Sequence, residues 1–138
     1  MTRRTTGRTE VCGAEQARLR IGQARAFLEV AELVGTDADE LATPHVSAAL
    51  AVLAGIAASD AACCASLGRR ARGQDHREAI ALVKQVEPDG PAMANDLSRL
   101  LGIKDDAHYG MLHVSAQRAT AAIRQARRLV DTADRRVR

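Results

Sequence analysis

Between Thr43 and Gly68 the chain carries one formally charged side chain, Asp60, in an otherwise Ala-, Leu-, Val- and Ile-rich stretch. Thr43 and Pro44 open it as a helix. Thr suits the N-cap, and Pro suits the first helical position, where its missing N–H costs nothing. Gly68 ends it. A helix that is apolar nearly all round has no solvated face, so it belongs at the centre of the molecule with other elements around it. Gly55 and the many alanines let those neighbours approach closely. Phe27 and Tyr109 are the aromatic residues and Trp is absent, while the hydrophobic fraction is 46%. The core is therefore aliphatic and small, and Ala is both its commonest material and the best helix former.

The flanking segments fit that centre. Ala17, Ile21, Ala24, Leu28 and Ala31 form one stripe of a helix over Glu15–Val34, stopped by Gly35. Thr36–Ala42 is an acidic connector. Asp75 and Glu78 make a capping-box pair that starts a short helix running to about Val86. Glu87-Pro88-Asp89-Gly90 is a turn, and Pro91 begins a helix bearing Met93, Leu97, Leu100 and Leu101. That helix is expected to reach about Leu112, with a bend or break at Gly102. Ser115 caps a last helix with Ala119, Ala122, Ile123, Ala126 and Val130 inside. No strand-like alternation is sustained. The expected fold is an all-α, up-and-down bundle of about five helices over residues 14–138, preceded by a disordered tail over residues 1–13.

The formal net charge of +3 is mildly basic and no nucleic-acid signature in itself. The arginines are clustered, however, at Arg69, Arg70, Arg72 and Arg77 and again through the last helix, where Asp131 and Asp134 interrupt them. Cys63 and Cys64 are adjacent in a helix and point in different directions, so neither a structural disulfide nor a zinc site is expected. Reduced thiols and a cytoplasmic location follow as expectations, since the first residues lack a signal peptide's apolar core. The nearest approach to a membrane span, Val46–Ala58, falls short of the roughly 20 residues a bilayer needs and runs into Asp60.

Three places hold groups capable of chemistry. Asp60 lies in the most apolar helix and needs a cation or donors, whether in a structural ion pair with another helix or in a ligand site. Gly73-Gln74-Asp75-His76-Arg77-Glu78 leads into a helix start beside the Arg cluster, where backbone amides and guanidiniums can hold a phosphate; Asp75 competes for those amides. In Lys104-Asp105-Asp106-Ala107-His108-Tyr109, Lys104 and His108 share a helix face and Tyr109 adjoins it, which puts a cation, a base and a phenol near one ligand. His45 and His113 are more isolated and suit surface or capping roles.

The order of these pieces resembles the HEPN family: the long Ala-rich helix with Ser59-Asp60-Ala61-Ala62-Cys63-Cys64, then Gln74-Asp75-His76 after a loop, then a leucine-rich helix ending in Lys104–Tyr109. The resemblance spans about Ala48–Gly110. It implies a helical homodimer, often partnered with a minimal nucleotidyltransferase in toxin–antitoxin-type systems, that binds a nucleotide or RNA phosphate. Active HEPN ribonucleases are metal-independent and use Arg, four to six residues, then His; here Lys104 precedes His108 by four, so the motif departs from that pattern. The resemblance implies ligand contacts from Asp60, Arg69, Arg70, His76, Arg77 and Tyr109, with His108 and Lys104 as the groups for any catalysis, and no metal or cofactor. Three readings stand open: a nucleotide- or RNA-phosphate-binding protein, a ribonuclease, and a non-enzymatic dimerisation or interaction module.

Overall fold

The structure is a computed structural model that describes residues 8–35, 43–73, 75–108 and 113–138. Six helices are described: α1 (Ala14–Gly35), α2 (Thr43–Leu67), α3 (His76–Val83), α4 (Gly90–Gly102), α5 (Lys104–His108) and α6 (Ala116–Val137). They form an all-α bundle with α2 at its centre. Ala48, Ala51, Val52, Ala54, Ala57, Ala58, Ala61 and Ala62 of α2 have no exposed surface at all, as a helix without a polar face requires. By length and composition α2 from Pro44 to Leu67 could cross a membrane, and most of its apolar stretch is buried inside the bundle.

Close packing through small residues is visible at Gly55. A Cβ there would stand 2.4 Å from Leu100 Cδ1 and 3.3 Å from Leu129 Cδ1, so α4 and α6 sit directly on the helix backbone. α1 buries Ala17, Ile21, Ala24, Leu28 and Ala31, the stripe its sequence shows. Ser47 donates a hydrogen bond to the Ala31 carbonyl and ties α2 to α1. On α6, Leu129 and Ala133 join the buried stripe, while Ile123 is only partly buried. Ser115 accepts from the Arg118 amide as the N-cap of α6, at 3.1 Å.

The break expected at Gly102 is present: Ile103 turns its amide back to the carbonyls of Leu100 and Leu101, and α5 starts afresh. Three expectations are corrected. Residues 8–13 are not a disordered tail: Thr9–Val11 is a strand, β1, antiparallel to β2 (Arg69–Ala71), with Thr9 opposite Ala71 and Val11 opposite Arg69. Three-residue strands carry too short an alternation to be legible. That pairing also overturns the expectation of free thiols. It sets Cys12 beside α2, and Cys12 and Cys64 form a disulfide between residues 52 apart. Finally, only the N-cap half of the capping box is made among the described residues: Asp75 accepts from the Arg77 amide, while Glu78 accepts from the amide of Arg8 in the N-terminal segment.

Gly68 makes the turn from α2 into β2. Its φ of +75° is the left-handed conformation glycine adopts freely, and its carbonyl accepts from the Cys12 amide. The hairpin-like pair β1–β2 is thereby fastened at the C-terminal end of the central helix.

Candidate functional site

One face of α2 near its C-terminal end presents Ile56, Ser59, Asp60 and Cys63, spaced so that they stack over two turns. β2 and the residues after it bring Arg70, Ala71, Arg72 and Gly73 opposite; α3 adds His76, Ala79 and Leu82; α4 adds Leu97 and Leu101; α5 adds Lys104. Together they enclose a cleft of about 280 Å³. Its walls are aliphatic, and its polar groups gather toward β2 and the starts of α3 and α5.

Asp60 is held by two guanidiniums. Arg20 of α1 donates from Nε and Nη2 at 3.1 and 2.8 Å, and Arg70 donates from Nη1 at 3.2 Å, all to Oδ2. Burial pushes the Asp60 carboxyl above the ordinary carboxylate range, and the charges and hydrogen bonds of Arg20 and then Arg70 pull the other way. This is the interhelical ion pair that a carboxylate in an apolar helix needs. Arg70 also reaches Glu10 of β1 at 3.4 Å, and Arg72 reaches the same carboxylate at 3.7 Å. The N-terminal strand thus supplies a counter-charge to the cleft's arginines.

Across the cleft, Lys104 Nζ and His76 Nε2 lie 3.4 Å apart. Among the described residues, no carboxylate oxygen comes within ion-pair distance of either. Asp75, which lines the same rim, is turned to Arg77; the side-chain and backbone hydrogen bonds from Arg77 hold its carboxyl below the usual range.

Of the residues singled out in the sequence, Asp60, Arg70, His76 and Lys104 meet in this cleft. Arg69 is exposed and does not line the cleft, and Arg77 is exposed and bound to Asp75. His108 does not line the cleft; its Nε2 is 3.3 Å from the Ala49 carbonyl oxygen, so the α5 face it shares with Lys104 spans from the cleft to the side of α2. Tyr109 and Gln74 lie outside the described residues. His45 and His113 meet each other edge-on, with ring centroids 5.8 Å apart.

Several contributors were not legible. Arg20 and Glu10 come from elements remote in sequence, and Cys63 gives its buried thiol to the cleft wall while Cys64 faces Cys12. Burial, and then the Asp60 charge, push the Cys63 thiol up to about 12 against the opposing charge of Arg69. Ser59 is 4% exposed, and its hydroxyl has no hydrogen-bond partner among the described residues. Its one hint in the sequence is its place beside Asp60, three residues on from Ile56 and four before Cys63.

Most arginines of α6 are engaged with carboxylates of other elements: Arg118 pairs with Asp106, Arg127 with Glu32, Arg128 with the buried Asp96 and Arg136 with Asp89, while Arg138, just past the helix, pairs with Asp134. No recognised protein-family model matches the chain, and none of the curated proteins matches its sequence.

Proposed function

We propose that this is a HEPN-like helical protein whose cleft between α2, β2, α3, α4 and α5 binds a phosphate-bearing ligand, a nucleotide or an RNA phosphate, with a minimal nucleotidyltransferase as the kind of partner it serves. The observation that carries the reading is the rim formed by His76, Lys104 and Arg72. Lys104 Nζ donates to His76 Nε2 at 3.4 Å, which fixes the ammonium at the rim, and with no carboxylate within reach among the described residues its remaining protons are there for an anion. Arg72 adds a guanidinium whose Glu10 contact is long and exposed, which a phosphate can displace at little cost. Asp60 does not cancel this charge, because Arg20 and Arg70 already engage it.

A homodimer is part of the proposal, supported by the outer face of α1. Leu19, Val30 and Leu33 are 63%, 45% and 64% exposed, and at 3.6 residues per turn they fall within roughly 60° of one another. That stripe is opposite the buried one. The ribonuclease alternative takes its acid–base group from His108, whose ring lies outside the cleft of its own chain. Cleavage in this fold then needs a site built between two copies, independent of the rim.

Thermal melting in the presence of inorganic phosphate, a nucleoside monophosphate and a short RNA tests the proposal. At least one should raise the melting temperature of the wild type, less so at high salt. The His76→Ala/Lys104→Ala protein should fold normally and lose the shift. Equal shifts in both proteins, or none in the wild type, would remove the cleft from consideration.

A further inference from the structure

The rim accounts for a phosphate but not for the rest of the cleft. Behind it lie Ile56, Ala79, Leu82, Leu97 and Leu101, and among them Ser59. A serine in mid-helix commonly returns its hydroxyl to the carbonyl four residues earlier or turns it to water. The Ser59 hydroxyl does neither: it is buried and has no partner among the described residues. A buried donor and acceptor left unmade is costly, and a hydroxyl can serve as either once a polar atom comes within reach.

Resting on the phosphate-binding reading above, we infer that the cleft takes a free nucleoside monophosphate, with its phosphate on His76, Lys104 and Arg72 and its base between the aliphatic walls, one edge heteroatom hydrogen-bonded to Ser59. The combination selects among phosphate compounds. Inorganic phosphate leaves the apolar walls and Ser59 unused. A sugar phosphate sets hydroxyl groups against leucine and isoleucine, where nothing hydrogen-bonds them. An alkyl phosphate fills the walls but leaves the Ser59 hydroxyl unmade. A nucleobase has apolar faces and a polar edge, and meets both. Size agrees: about 280 Å³ lies just below the roughly 300–1,000 Å³ of small-molecule sites, which suits a ligand as small as one nucleotide.

Calorimetric titration of the full chain with inorganic phosphate, ribose 5-phosphate and the common nucleoside monophosphates tests this. At least one nucleotide should bind about tenfold or more tighter than ribose 5-phosphate. Ser59→Ala should lower that nucleotide's affinity about tenfold, the worth of one hydrogen bond, and lower that of ribose 5-phosphate much less. Ser59→Cys, which is slightly larger and keeps a weak donor, should fall between. The Ser59→Ala protein should melt at or above the wild-type temperature, because it loses only an unbonded hydroxyl. Ribose 5-phosphate and every nucleotide binding alike, or Ser59→Ala affecting them alike, overturns the base subsite and leaves the phosphate rim standing. Binding of no phosphate compound overturns both.

Discussion

Asp60 shows how a single charge is accommodated in the most apolar helix of the bundle. Its carboxylate is 14% exposed and its two arginine partners are 23% and 31% exposed, so the cluster is only partly screened by water. Removing the carboxylate leaves two guanidiniums facing each other, with the 3.4 Å contact of Arg70 to Glu10 as the remaining counter-charge. Asp60→Ala should therefore cost about 3 kcal/mol of unfolding free energy, read by urea denaturation; a variant as stable as the wild type would show that the pair contributes nothing. The sequence around Asp60 demands a cation, but Arg20 is 40 residues away and nothing local distinguishes it from Arg18 or Arg25. Cys63 gives a pH test. Its folded thiol is held at about 12, against 9.0 for an ordinary thiol. The folded chain therefore keeps a proton that the unfolded chain releases. The associated stability is complete below about pH 9 and is lost as pH rises toward 12. Stability of the wild type should decline over that window more than that of Cys63→Ala, and Cys63 should resist alkylation at neutral pH until the protein unfolds.

At the scale of elements, caps and small-residue contacts are the parts most readily read from sequence, because each depends on neighbours within a turn or on residue size alone. Ser115 caps α6 as its position before an alanine-rich helix suggests, and Ser115→Ala should cost about 1 kcal/mol. Gly55 admits Leu100 and Leu129 against the helix backbone; Gly55→Leu should destabilise by roughly 1–3 kcal/mol or more, since two packed helices must separate. β1 and β2 lay outside such reading. Each has three residues, and their pairing depends on Gly68 turning the chain and on Cys12 reaching Cys64. With its cysteines 52 positions apart, the chain-entropy account assigns the disulfide about 4 kcal/mol. Reduction should lower the midpoint of unfolding accordingly and speed amide exchange in residues 9–12 before the helices respond. An unchanged midpoint would mean that the strand pair holds without it.

For the whole molecule, the central helix decides the rest. An apolar circumference forces α1, α4 and α6 around it, and the one stretch where it carries Ser59, Asp60 and Cys63 becomes the wall of the cleft. The cleft was half legible: Asp60, Arg70, His76 and Lys104 converge, whereas His108 follows the turn of α5 to the side of α2 and Arg69 and Arg77 are exposed outside it. Four of the α6 arginines, Arg118, Arg127, Arg128 and Arg136, are tied to carboxylates of other elements and keep the bundle together. If α1 mediates self-association, Leu19→Glu with Leu33→Glu should convert a dimer to a folded monomer in analytical ultracentrifugation; an unchanged oligomer would place the interface elsewhere. The claim on which the functional account depends is that the cleft, and no other surface, takes a phosphate-bearing ligand. Titration of the isotopically labelled protein with a nucleoside monophosphate, followed amide by amide in nuclear magnetic resonance spectra, tests it directly. The account predicts that the shifted resonances gather at residues 56–63, 70–79 and 97–104; shifts confined to α6 or the outer face of α1, or none at all, would contradict it.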